Sequence, residues 1–138
     1  MPIEERLAWF DAHSDREKHP VIVATVNKDD AVQIVGWACL STYNERAGYL
    51  FTAASSIYID KDYQRQGLGT LLMTDVIARG RKGGLQNILA GIDTEQTASV
   101  ALHSRLGFVQ VGRFEGIGYK FGRTLSVIWM QLSLTTQA

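Results

Sequence analysis

Apolar positions change their spacing several times along the chain, and each change predicts a new element. Ile3, Leu7 and Phe10 recur at helical intervals between Glu4, Glu5 and Arg6, which predicts a short amphipathic helix over residues 3–13. Pro20 then opens the β-branched run Val21 to Val26, and the polar cluster Asn27-Lys28-Asp29-Asp30 predicts a turn. Gln33 to Leu40 follows as the return strand of a hairpin. Ser41 to Gly48 is polar and predicts a loop, after which Ser56 to Ile59 predicts a third strand. Leu68, Leu71, Leu72, Val76 and Ile77 line one face of a helix running to about Arg81, which Gly83-Gly84 ends. A strand at Asn87–Ile92, a helix at Thr97–Leu106 stopped by Gly107, and strands at Phe108–Val111 and Leu125–Leu134 complete the pattern. A Gly-rich stretch separates the last two strands. The order predicts an α/β arrangement around one mixed sheet. With no internal repeat or linker, residues 1–138 read as a single domain.

Composition narrows the classes of function. Lys plus Arg number 14 and Asp plus Glu number 14, so no net basic field recruits nucleic acid or an anionic membrane. No uninterrupted apolar segment is long enough to cross a bilayer, and the N-terminus lacks a cationic start followed by an apolar stretch. Cys39 is the single cysteine, which excludes an intrachain disulfide and fits a reducing compartment. The expectation is a cytoplasmic protein. Three histidines (His13, His19, His103) and one cysteine do not make a metal set, so no metal is expected. Trp9, Trp37, Trp129, Phe10, Phe51 and Phe108 fall mostly on amphipathic elements and predict core packing rather than an aromatic cage. Arg79-Gly80-Arg81-Lys82 sits in a helix's last turn, where cations suit the dipole.

The chemistry concentrates between the third strand and the first long helix. Gln64-Arg65-Gln66-Gly67-Leu68-Gly69-Thr70 is a short polar loop with two glycines straddling a helix start. Free N–H groups there point outward, glycine lets a phosphate approach the backbone, and Arg65 adds a cation. The pattern is an anion site, most naturally for a pyrophosphate. It is not a Walker loop, which needs Gly-Lys-Ser/Thr, and Leu72 stands where a dinucleotide fingerprint needs its third small residue.

Gln-x-x-Gly-x-Gly after an apolar strand resembles the acetyl-CoA motif of the GNAT superfamily of N-acetyltransferases. Ala98-Ser99-x-x-Leu102-His103-x-x-Leu106-Gly107-Phe108-x-x-Val111-Gly112 is similar to that superfamily's next signature. Glu4 to Phe10, Arg46-Ala47-Gly48-Tyr49, Gly91-Ile92-Asp93 and Gly118 to Arg123 resemble its phosphinothricin acetyltransferase branch. The resemblance implies an α+β fold with a mostly antiparallel sheet flanked by helices, here lacking the usual first strand and helix. It implies transfer of acetyl from acetyl-CoA to the primary amine of a small molecule, an amino acid or an analogue such as phosphinothricin or methionine sulfoximine. The backbone of Ile57, Tyr58 and Ile59 would pair with the pantetheine arm, and Arg65, Gln66, Gly67, Leu68, Gly69 and Thr70 would hold the pyrophosphate. Gln96 replaces a usual asparagine at the cofactor. His103 stands where many members have a tyrosine thought to protonate the CoA thiolate. A histidine there could be that acid or hydrogen-bond the cofactor, and a helix histidine without chemistry is the plain alternative.

Two departures stand out. Ala54 occupies the place of the branch's glutamate, proposed to deprotonate the amine, and Thr124 and Ser126 replace a Trp and an acidic residue. Tyr43, Glu45 and Glu115 are possible stand-ins. A CoA-binding module with little transferase activity is the alternative function. The missing first elements leave a sheet edge to cover, which predicts a homodimer.

Overall fold

A computed structural model describes residues 19–135. The helix expected over residues 3–13 lies outside the described residues. Among the described residues six strands form one sheet in the order β1-β2-β3-β4-β6-β5: β1 Val21–Lys28, β2 Ala31–Thr42, β3 Thr52–Ile59, β4 Asn87–Asp93, β5 Val109–Lys120 and β6 Arg123–Ser133. The α-helices α1 Leu68–Lys82 and α2 Thr97–Arg105 follow β3 and β4. All strand pairs are antiparallel except β3 with β4. The mixed, mostly antiparallel sheet expected from the sequence is present.

The helices cover one face. Leu72, Met73, Val76 and Ile77 of α1 join Ala38, Leu40, Ala53, Ile88, Ala90, Ile92, Phe108 and Met130 in one buried cluster, with Val100 and Leu102 of α2 packed against it. Strand side chains alternate between faces. The partners of these core residues in sequence, such as Ala54, Leu89 and Trp129, therefore belong to the opposite face.

Pairing extends three elements past their sequence boundaries. The expected loop from Ser41 begins two residues late, because Ser41 pairs with Ala54 and Thr42 with Ala53. The third strand correspondingly starts at Thr52 rather than Ser56. The Gly-rich stretch is not a loop. Both strands run through it as one long hairpin, with a register shift between Phe114 and Gly118 and a turn at Phe121-Gly122, where both residues have positive φ. Cross-strand hydrogen bonding outweighs the weak strand preference of glycine.

The ladder that matters for function is the shortest. β3 and β4 pair only through Thr52↔Asn87, Ala53↔Ile88 and Ala54↔Leu89. Beyond Ala54 the two strands part, leaving a wedge between Ser55–Ile59 and Ala90–Asp93. In that wedge the facing edges have no strand partner.

Candidate active site

The wedge opens into a cleft of about 830 Å³ lined by β3, the loop into α1, β4 and α2. Every residue expected to hold the cofactor except Gln66 lines it: Ile57, Tyr58, Ile59, Arg65, Gly67, Leu68, Gly69, Thr70 and Gln96. The loop is held from both sides. Asp60 N–H donates to the Val35 carbonyl at 2.8 Å, and Gln64 Nε2 donates to the Ile59 carbonyl at 3.2 Å. Asp60 Oδ1 accepts from Asp62 N–H at 2.9 Å, setting the short turn that follows the strand.

Local backbone geometry explains the two glycines. Gly67 is the N-cap of α1 with φ 84°, a left-handed conformation that glycine adopts without steric cost. A Cβ there would meet nothing within 4 Å, so the space beside it is open to a ligand. Gly69 is the close approach: a Cβ would lie 3.1 Å from Leu102 Cδ2 of α2. Arg65 also has positive φ, 63°, which is costly for a side-chain-bearing residue. The first N–H to bond back within the helix is that of Leu71, to the Gly67 carbonyl at 3.1 Å. The amides before it face the cleft end of the helix, where an anion satisfies them. This donor set and glycine cradle fit a pyrophosphate, and the bare edges of the wedge fit an amide-bearing arm lying like an added strand.

His103 lines the same cleft but is 2% exposed. Its Nδ1 lies 2.7 Å from the Ser99 carbonyl, so Nδ1 carries the proton and donates it. The ring meets Phe108 edge-on, with centroids 4.9 Å apart. Burial lowers its pKa below the ordinary histidine value, against the smaller upward pull of the Ser99 carbonyl. A neutral ring protonated at Nδ1 presents a lone pair at Nε2.

A second pocket of about 390 Å³ lies at Tyr43, Leu89, Val111, Gly112, Arg113, Phe114 and Trp129. Trp129 pairs with Gly91 of β4, and a Cβ on Gly91 would lie 3.1 Å from the indole. The absent side chain lets the ring lie on the β4 backbone. Trp129 Nε1 is buried and has no hydrogen-bond partner among the described residues. Leu89 joins the two regions: it lines this pocket and pairs with Ala54, the last residue before the strands part. Trp129 is thus a pocket wall, not the plain core residue expected.

The possible stand-in bases separate. Tyr43 reaches the second pocket, edge-on to Tyr49 at 5.7 Å. Glu45 is exposed and lines neither cavity. Glu115 is engaged by Arg113 Nε and by Ser126 Oγ at 3.0 Å, and these contacts hold its carboxyl below the usual range. Sequence reasoning missed Arg105 and Lys120, which also line the cleft. Arg105 was legible as the i+3 neighbour of Leu102, whereas Lys120 arrives through the long hairpin and left no local signal. Among the described residues no group of three or more His, Cys, Asp or Glu is placed to hold a metal. No helix there is long and apolar enough to cross a membrane.

Residues 2–108 match the acetyltransferase (GNAT) family. The chain belongs to the GNAT family. It is 37% identical over 134 residues to an L-methionine sulfoximine/L-methionine sulfone acetyltransferase of Pseudomonas paraeruginosa, covering 97% of this chain and 76% of that one. Among solved structures, an acetyltransferase from Salmonella typhimurium determined with its cofactor acetyl-CoA superposes with a TM-score of 0.89 at 32% identity. That superposition covers 100% of this chain and 77% of the other. A GNAT superfamily phosphinothricin acetyltransferase from Sinorhizobium meliloti, in complex with acetyl-CoA, gives 0.83 at 29% identity over 96% and 70%. The chain is accordingly an N-acetyltransferase of the GNAT family, and acetyl-CoA is its co-substrate.

Proposed function

We propose that this GNAT domain, spanning residues 1–138, transfers acetyl to the primary amine of a small amino-acid-like molecule. The observation that carries the reading is the meeting of two cavities at one point of the sheet. The cleft begins where β3 and β4 part after Ala54, and the second pocket is walled by Leu89, the partner of Ala54. A thioester reaching into the wedge from one side would meet an amine held on the other.

In this reading the amides of the Gly67–Thr70 turn and Arg65 hold the pyrophosphate, with Gln66 supporting the loop. The open edge at Ile57, Tyr58 and Ile59 pairs with the pantetheine arm, and Gln96 lies at the start of α2 beside it. Acetyl-CoA supplies an activated thioester. The neutral amine attacks its carbonyl directly, the carbon–sulfur bond breaks, and the proton lost by nitrogen balances the one gained by sulfur. Cys39 takes no part as an acyl carrier. It is buried, and burial pushes its thiol up to about 11, which keeps it protonated. His103 is the titratable side chain proposed for proton traffic. Its Nδ1–H is committed to Ser99, which suits Nε2 to accepting a hydrogen bond or proton better than to giving one.

The acceptor class follows from the similar proteins named for methionine sulfoximine, methionine sulfone and phosphinothricin, and from an apolar, aromatic pocket sized for a small molecule. The alternative, a CoA-binding module with little turnover, is favoured by one observation: Ala54 offers no base at the apex of the wedge. Incubation with radiolabelled acetyl-CoA and a panel of L-methionine sulfone, L-methionine sulfoximine and phosphinothricin decides between them. Label on an amine and none on the protein is the expected result. Tight CoA binding with no labelled amine would support the module.

A cytoplasmic location and a homodimer complete the proposal. The support for the dimer is the edge strand β5, which leaves Val109, Val111, Phe114, Ile117 and Tyr119 more than half exposed.

A further inference from the structure

Among the described residues, Trp129 Nε1 is the one buried side-chain polar atom left without a hydrogen-bond partner. A buried donor left unpaired is costly. The indole lies over β4, where a Cβ on Gly91 would come within 3.1 to 3.3 Å of three atoms of its six-membered ring. It also walls the second pocket. Because Gly91 has no side chain, only flat backbone lies beneath the ring. Tryptophan's outer torsion is broad, so the ring can tilt its N–H toward the pocket.

The pocket's charge decides which kind of group can meet that N–H. Tyr43, Leu89, Val111, Phe114 and Trp129 line it with uncharged side chains, and Arg113 is the one charged residue beside them. Arg113 pairs with Ile128, which packs against the helix-side core. Gly112 pairs with Trp129 and Phe114 with Val127, so the alternation across this stretch is regular. The Arg113 side chain therefore leaves on the face away from Trp129, where Glu115 engages its Nε. An anionic group in the pocket would lose its hydration with no side-chain cation in return. An uncharged oxygen loses less and gains the indole N–H.

We propose that Trp129 is a specificity-determining residue whose Nε1–H donates to an uncharged sulfonyl-type oxygen on the side chain of the acceptor. The proposal rests on the reading of the second pocket as the acceptor site. A side chain of similar length without that oxygen leaves the donor buried and unpaired, and a site built to hydrogen-bond its substrate rejects such an analogue.

Acetylation of L-methionine sulfone and of L-methionine, which differ only in the oxygens on sulfur, tests this on the wild type, Trp129→Phe and Tyr43→Phe. The wild type is expected to favour the sulfone by about 10-fold in kcat/KM. Trp129→Phe keeps an aromatic wall and removes the N–H. A loss of packing acts on both amino acids and cancels in the ratio, so the preference should disappear, through a higher KM for the sulfone. Tyr43→Phe removes the pocket's other side-chain donor and should keep the preference. A wild type without the preference, its survival in Trp129→Phe, or its loss in Tyr43→Phe instead would each overturn the assignment. A wild type that acetylates neither amino acid would refute the acceptor reading first. An active wild type whose preference survives Trp129→Phe refutes the indole's role alone, which separates the two failures.

Discussion

The two cavities that meet at Ala54 and Leu89 are built from different materials. The cofactor cleft is a backbone device: unpaired strand edges, free amides at the start of α1, and a left-handed Gly67 that turns the chain toward them. The second pocket is a side-chain device, assembled from Leu89, Phe114 and Trp129 on three separate strands and from Tyr43 just after β2. A backbone site recognises what every acetyl-CoA has in common and constrains its sequence tightly, because few residues tolerate φ near +84°. A side-chain site can change its contents while the sheet stays the same. This is how one fold keeps its cofactor and varies its acceptor.

The contrast predicts which changes act on which substrate. The largest effect is expected from Gly67→Val. A branched residue is strained in the left-handed region and fills the open space beside the turn, so CoA affinity should fall about 100-fold or more. Circular dichroism should show the fold retained. Unchanged affinity by calorimetry would mean that the turn does not hold the phosphates.

Next in size is a gain. Ala54→Glu places a carboxylate at the apex of the wedge, and a positioned base is worth orders of magnitude in proton transfer. Acetylation of L-methionine sulfone at neutral pH should rise at least about 10-fold. A fall or no change would show that deprotonation of the amine does not limit the rate.

Trp129→Ala removes a wall of the side-chain pocket only. It should raise the acceptor KM about 5-fold and leave the Kd for CoA unaltered. A change in both would break the division between the two sites.

The smallest effect concerns His103, which belongs to the cleft wall and to the core at once. Its folded pKa lies below the ordinary value of about 6.5. Above that pH the ring is neutral in both states. As pH falls below it, the unfolded chain takes up a proton that the folded chain excludes, and stability declines. In His103→Asn this share of the acid loss should vanish, seen as a shallower fall in urea midpoint between wild-type curves at pH 7 and 5. Identical slopes would mean that the ring is not held neutral.

Much of the fold was legible because its signals are local. The glycines after α1 mark its end, and Leu72, Val76 and Ile77 mark its buried side, whereas Leu71, read as part of the same face, is 67% exposed. The strand limits were less legible. Nothing near Ser41 or Phe114 shows that a partner strand lies across from it, and cross-strand pairing with Ala54 and Val127 decides both. The same distinction governs the sites. Arg65 to Thr70 could be read because strand, turn and helix follow one another in the chain. Trp129 read as core because its alternation is that of any buried strand residue, and only the close approach over Gly91 reveals the pocket beside it. His103 was found by its place in the helix, but its proton on Nδ1 is fixed by the Ser99 carbonyl and by burial, which no spacing reports.

The most direct test of the division follows backbone and indole N–H signals of the labelled protein as each substrate is added. CoA should shift the amides of Ile57, Ile59 and Gly67 to Thr70 while leaving the Trp129 indole in place. L-methionine sulfone added afterwards should move the Trp129 indole and the Leu89 amide. Shifts from CoA centred on Tyr43, Phe114 and Trp129, with the Gly67–Thr70 amides unmoved, would contradict the account.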